Sequence, residues 1–180
     1  MRCKWFLVAT ICLYTPAGWA GEALSPYSGQ ETREIKAVSK DEITGYLSGD
    51  GMGFAKAAEL NHYPGPKHVL ELADQLQLSE EQRRKTLAVF EDMNLKAVNL
   101  GKQLVEKERV LDSRFVEANI SDLELGQLVT EISVLHGKIR AVHLQAHLAE
   151  RLLLTANQLS LYDALRGYQA AGNQGHHDGH

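Results

Sequence analysis

Proline, aromatic residues and cysteine are all scarce in this 180-residue chain. Proline occurs only four times and aromatic residues make up 7% of the chain. A β-sandwich or a β-barrel needs turn-forming residues and aromatic strands, so the composition disfavours both architectures. The two cysteines, Cys3 and Cys12, lie at the extreme N-terminus. Basic charge is also limited, and the net charge of −4 gives no reason to expect a nucleic-acid partner.

The first 20 residues have the pattern of a secretory signal peptide. Arg2 and Lys4 precede a mostly apolar run over residues 5–14, and residues 18–20 (Gly-Trp-Ala) form a small-x-small cleavage signal. The alternative to cleavage after Ala20 is an uncleaved anchor. Cleavage would remove both cysteines and so exclude disulfides and thiolate metal sites from the mature chain. The short basic segment at the N-terminus suggests a bacterial protein and hence the periplasm. No other stretch of the sequence is apolar enough for stable membrane insertion.

Four capping boxes predict where helices begin. In each box Ser or Thr is followed three residues later by Glu or Gln, so that two backbone amides of the first turn gain side-chain partners. The boxes start at Ser39, Ser79, Ser121 and Thr155. With the signal peptide over 1–20, the predicted organisation is a loose leader over 21–38, short N-terminal helices over 39–77, a helical hairpin domain over 78–168 and a flexible, histidine-containing tail over 169–180.

Two long helices dominate the predicted fold. The first runs from Glu80 to about Glu117 and the second from Asp122 to about Leu153. The short connection makes them an antiparallel hairpin, and helices of this length make the molecule elongated. The predicted fold class is therefore all-α, an elongated helical hairpin with additional shorter helices. Apolar seams left uncovered by a single layer of two helices predict a homodimer.

The first long helix carries a seam that repeats by three and four residues. Its members are Leu87, Phe90, Asn94, Ala97, Gly101, Leu104, Glu108, Leu111 and Phe115. Gly101 in a helix interior costs about 1 kcal/mol relative to alanine. Either close approach of another helix or a bend would account for it.

A short motif occurs twice and opens a predicted helix each time. It has the form L-[ST]-x-x-Q, and its defining residues are Leu78, Ser79 and Gln82 in the first copy and Leu154, Thr155 and Gln158 in the second. In a secreted, all-helical chain of this size, the motif pair resembles the Spy/CpxP family of periplasmic stress proteins. That group includes zinc-responsive, heavy-metal-resistance relatives with histidine-bearing tails. The resemblance covers residues 78 to about 168.

The resemblance implies a cradle-shaped antiparallel dimer and an ATP-independent chaperone that binds unfolded or damaged envelope proteins. It also implies two alternatives, heavy-metal binding or sensing and restraint of an envelope sensor kinase. Residues 49–76 do not map onto the motif. No nucleophile elbow and no glycine-rich loop after a strand is present, so an enzyme is not predicted and no cofactor is required.

The tail is the first candidate metal site. Its ligands would be His176, His177, Asp178 and His180. Imidazole and carboxylate groups suit Zn, Ni or Cu(II). The alternative is a solvated end without a function.

The second long helix carries another histidine set. His143 and His147 lie one turn apart, the spacing of a two-point metal clamp, and Glu150 is close to one further turn along. The set borders the apolar face of the helix. We therefore favour packing against the partner helix over metal binding for this stripe.

Overall fold

The structure, a computed structural model, describes residues 24–168. Helix makes up about 70% of these residues and they contain no β-strand, which confirms the all-α fold class. A 3-10 helix, Gln30–Thr32, is followed by α1 (Lys40–Ser48), α2 (Lys56–Glu59), α3 (Pro66–Glu71), α4 (Glu80–Val116), α5 (Asp122–Leu153) and α6 (Ala156–Arg166). Within this range no helix has the length and apolarity needed to cross a membrane.

The helices α1, α4, α5 and α6 begin where the capping boxes predict. Complete boxes are present at Ser39, Ser79 and Thr155. At the fourth position, Ser121 accepts a bond from the backbone amide of Glu124. The Glu124 carboxylate, however, accepts from Arg114 Nε at 2.8 Å instead of completing the box. The local signal thus placed all four helix starts, and a tertiary contact altered one cap.

The long helices α4 and α5 lie side by side and run in opposite directions. Thr86, near the start of α4, bonds Glu150, near the end of α5. Further along, Lys107 pairs with Glu131 at 2.6 Å. Residue numbers therefore rise along α4 as they fall along α5, and the connection is only residues 117–121.

α1 packs onto α4 at a glycine. A Cβ atom on Gly101 would lie 2.1 Å from the backbone oxygen of Tyr46, so only glycine permits this approach. Tyr46 belongs to the first core cluster, which also contains the fully buried Leu104. Of the two explanations for Gly101, close helix approach is the one observed.

The segment before α1 is partly packed. Ile35 is fully buried and Val38 is buried, both in the first core cluster. The backbone amide and Nζ of Lys36 both bond the Asp112 carboxylate, at 3.1 and 3.0 Å. The prediction of a loose leader is therefore corrected for residues 35–38, because two apolar side chains and one ion pair are enough to fix this segment on the hairpin core.

The predicted seam of α4 is buried only in its middle. Ala97 and Leu104 are buried as expected, whereas Leu87 and Phe115 at the two ends are exposed. Met93 is buried although it is not a member of the predicted seam. A repeat of three and four residues drifts by about 20° per heptad around a straight α-helix. A seam that faces the core in the middle of the helix therefore turns away from it at the ends.

A second core cluster holds the end of the molecule where both motifs lie. Its buried members are Val69, Ala73, Leu76, Leu78, Leu154 and Tyr162. The leucines of the two motifs, Leu78 and Leu154, are therefore core residues. They join α3 and α6 to the ends of the long helices.

Candidate functional site

The two motif glutamines bond each other. Gln82 Nε2 donates to Gln158 Oε1 at 2.8 Å, and Gln158 Nε2 donates to Gln82 Oε1 at 3.1 Å. Gln82 also donates to the carbonyl oxygen of Leu153, and Gln158 to that of Leu76. Each glutamine thus caps its own helix and holds the chain that precedes the other motif. Nothing in either motif alone shows this pairing.

The histidine stripe lies on the buried face of α5. His143, His147 and Glu150 are all buried. The His143 ring is stacked on Phe54, with ring centroids 6.0 Å apart and planes 10° apart. Burial, with a contribution from His147, lowers the pKa of His143 and favours its neutral form. The stripe therefore packs against the segment around α2, and not only against the partner helix as the sequence suggested.

His147 is held in place by a backbone carbonyl. Its Nδ1 lies 2.7 Å from the carbonyl oxygen of Tyr63. Because a carbonyl oxygen only accepts hydrogen bonds, Nδ1 carries a proton and donates it to this carbonyl. A Cβ on Gly65 would lie 2.9 Å from Cε1 and 3.1 Å from Nε2 of this ring, so glycine allows the backbone to pack closely against His147.

Glu59 of α2 brings a carboxylate to the same place. The Tyr162 hydroxyl donates to Glu59 Oε1 at 2.6 Å, and Arg166 Nε lies 3.4 Å from the same oxygen. Burial, followed by the bond to Glu59, raises the pKa of Tyr162, so this hydroxyl remains a donor. Glu59 Oε2 lies 3.6 Å from His147 Nδ1 and has no hydrogen-bond partner. No pattern in the sequence indicates Glu59, because α2 is too short to show a helical periodicity.

Glu150 has a different environment from the two histidines. Its Oε1 accepts a bond from Thr86 Oγ1 at 2.9 Å, and its Oε2 has no partner. Burial raises the pKa of Glu150 to about 7. Between residues 24 and 168, no three His, Cys, Asp or Glu side chains form a group that could hold a metal ion. The candidate tail ligands, 176–178 and 180, lie outside the described residues.

A cleft of about 560 Å³ opens beside Glu59 and the two histidines. The glycine-rich loop 49–53, α2 and the start of α3 form one side, and α4 and α5 form the other. His143, His147 and Glu59 are its most buried polar lining, whereas Lys56 and Lys67 are exposed at its edge. Residues 49–76, which the motif resemblance does not cover, thus build most of the cleft.

Comparison with known proteins gives no match. No protein-family model, no curated protein and no solved structure matches the chain.

Proposed function

We propose that this protein is a non-enzymatic periplasmic chaperone that binds unfolded or damaged envelope proteins without ATP, as the resemblance to the Spy/CpxP family implies. One observation supports it best. Large apolar side chains are exposed at nine positions on α4 and α5: Leu87, Leu95, Phe115, Val116, Leu123, Val129, Val134, Leu148 and Leu152. Burying such surface against a partner is favourable by about 25 cal/mol per Å². Unfolded proteins can be such partners, because they expose apolar segments of many different sequences.

The turn between the long helices is the densest part of this surface. Phe115 and Val116 end α4, and Leu123 lies in the first turn of α5, so three exposed apolar groups lie within nine residues. Charged groups surround them, including Arg114 and Glu117. A mixture of apolar and charged groups suits weak contact with partly unfolded chains, because it needs no particular partner sequence.

The same exposed surface supports an antiparallel homodimer of the α4–α5 hairpin. A second copy would cover apolar side chains that one layer of helices leaves in water. Light scattering of the mature protein at micromolar concentration should then give twice the monomer mass. A mass that stays monomeric at every concentration would argue against the dimer but not against client binding.

The chaperone proposal predicts suppression of aggregation by the long helices. Purified mature protein without ATP should suppress aggregation of a chemically unfolded client at near-stoichiometric ratio. The double variant Leu123→Ser, Leu152→Ser should lose most of this protection, because the two side chains are 75% and 86% exposed and contribute contact surface rather than fold stability. Light scattering of the aggregating client measures the effect.

A control variant removes two exposed leucines elsewhere. Leu24 and Leu60 are 80% and 54% exposed and lie outside α4 and α5. The variant Leu24→Ser, Leu60→Ser should protect the client as well as the unmodified protein does. Equal loss in both double variants would show that exposed leucines act without regard to position, and aggregation at the control rate with several clients would end the chaperone proposal.

Metal binding by the tail remains the alternative proposal, with restraint of an envelope sensor kinase as a third. A chain truncated after Ala171 should lose most Zn or Ni binding in calorimetry, whereas the double change His143→Ala, His147→Ala should leave it. Affinity should fall as pH drops through about 6.5, because only neutral imidazole binds a metal. Loss of binding in the helix variant instead would place the site on α5.

A further inference from the structure

A second depression, of about 600 Å³, lies between α5 and the segment that contains α2. The ionisable side chains that line it are Lys56, His136 and Arg140, and among the described residues no carboxylate lines it. We call it the basic pocket. Asp50 and Glu59 belong to the lining of the neighbouring cleft and not to this one. We propose that the basic pocket binds a small phosphate monoester that carries an apolar group.

The two cations at the basic pocket match the charge of a phosphate monoester. Lys56 and Arg140 are exposed, and within residues 24–168 neither forms a salt bridge. The planar guanidinium of Arg140 can bond two phosphate oxygens at once, and the ammonium of Lys56 adds three donors. A phosphate monoester carries about 1.5 to 2 negative charges at about pH 7. The chain as a whole has a net charge of −4, so attraction of an anion to this pocket is local and not general.

His136 is held at the basic pocket by two aromatic rings. Its ring lies edge-on to that of Tyr46, with centroids 5.7 Å apart, and tilted against that of Phe54, with centroids 6.2 Å apart. Its nitrogens make no hydrogen bond with the described residues, and neither is fully shielded from solvent. A ring N–H is therefore free to donate to a phosphate oxygen. Glu42 and Glu108 lie close enough to interact with the charge of His136, but neither lines the pocket.

Gly137 keeps space open at the same place. It lies inside α5, where glycine lowers helix stability relative to alanine. No close approach of another element requires this glycine, because a Cβ there would have no neighbour within 4 Å among the described residues. Gly137 does line the basic pocket, so an added methyl group would take up space that a ligand can fill. A residue that lowers stability and keeps a pocket open is expected where binding is favoured over stability.

The rest of the lining provides contact for the apolar group of the ester. Met52 and the half-buried Phe54 both line the basic pocket. The inference does not depend on client binding, since none of the nine exposed apolar residues of α4 and α5 lines this pocket.

Calorimetry with phenyl phosphate at low ionic strength tests the proposal. At about pH 7, phenyl phosphate should bind the mature protein with a Kd below about 1 mM. Benzenesulfonate has a similar shape but carries one negative charge, and it should bind about tenfold more weakly. Inorganic phosphate has the charge but no ring, so it should also bind more weakly than phenyl phosphate.

Two substitutions on α5 test the role of charge at the pocket. Arg140→Gln should weaken the binding of phenyl phosphate about tenfold. Lys138→Gln removes a cation two residues earlier on the same helix, at an exposed position that does not line the pocket, and should bind like the unmodified protein.

Two further substitutions test the space that glycine leaves. Gly137→Ala should weaken the binding of phenyl phosphate about tenfold and at the same time raise the urea midpoint of unfolding. Gly126→Ala should raise the midpoint to a similar extent without changing the affinity, because Gly126 lies in α5 but does not line the pocket. Because Gly137→Ala is expected to be more stable than the unmodified protein, its loss of binding cannot come from unfolding.

Three results would overturn the proposal. Phenyl phosphate that does not bind at about 10 mM would show that the basic pocket is solvated surface. Equal weakening by Arg140→Gln and Lys138→Gln would show attraction to the charge of α5 in general. Unchanged affinity in Gly137→Ala would place any phosphate binding outside this pocket.

Discussion

Replacing Gly101 by alanine should destabilise the protein by about 2 kcal/mol or more. Helix propensity alone predicts the opposite, because alanine is about 1 kcal/mol better than glycine in a helix interior. The new Cβ would lie 2.1 Å from the backbone oxygen of Tyr46, and a backbone atom cannot move aside as a flexible side chain can. α1 would have to shift away from α4, and the core cluster that contains Leu104 would be disturbed.

Two other helix glycines provide the control. Gly126 and Gly137 lie inside α5, and a Cβ at either position would have no neighbour within 4 Å. Gly126→Ala and Gly137→Ala should therefore each stabilise the protein, by up to about 1 kcal/mol. Urea unfolding followed by circular dichroism compares the three variants. Stabilisation by Gly101→Ala of the same size as in the controls would show that α1 does not pack at this point.

Helix boundaries were predictable because their signals are local. A capping box needs only four consecutive residues, and the boxes at Ser39 and Thr155 placed α1 and α6 without any knowledge of the tertiary fold. The second long helix was likewise predicted at its observed bounds, Asp122–Leu153. α2, observed at Lys56–Glu59, falls within the short N-terminal helices predicted over 39–77, and its exact ends have no capping box to mark them.

Packing was harder to predict because it depends on where distant elements lie. Ile35 looks like one apolar residue in a polar leader, yet it is fully buried against the long helices. Phe115 fits the seam of α4, yet it is exposed because the repeat has drifted away from the buried face at that end of the helix. A periodic pattern identifies a helix face that can be buried. The tertiary arrangement decides how much of that face is buried.

The site was predictable only in the part that lies on one helix. The spacing of His143 and His147 showed that they share a face of α5, and both are buried there. The bond between Tyr162 and Glu59 joins residues 103 positions apart, and no local pattern indicates such a contact. The predicted helix ligand Glu150 lies on the same face, but its polar contact is Thr86 of α4.

Glu150 makes the stability of the protein depend on pH. Burial raises its pKa from the ordinary glutamate value of 4.5 to about 7, so the folded protein binds this proton more tightly than the unfolded chain does. A raised pKa contributes stability that is complete below about pH 4.5 and is lost as the pH rises through about 7. The shift corresponds to about 3 kcal/mol of unfolding free energy between these limits.

Glu150→Gln should therefore remove this pH dependence. Glutamine keeps an oxygen that can accept the Thr86 hydroxyl but cannot lose a proton, so the charge that is costly in the buried site never forms. The stability of the variant relative to the unmodified protein should rise by about 3 kcal/mol between pH 4.5 and pH 8, as measured by urea unfolding at four or five pH values. Taking the difference between the two proteins cancels the contributions of other titrating groups to the pH dependence. These include His143, whose lowered pKa acts in the opposite direction.

Glu91→Gln, at an exposed position on α4, is the control and should not produce this rise in stability. A stability difference for Glu150→Gln that stays constant across the same pH range would show that Glu150 is ionised in the folded protein at neutral pH, and that the bond from Thr86 compensates for its burial.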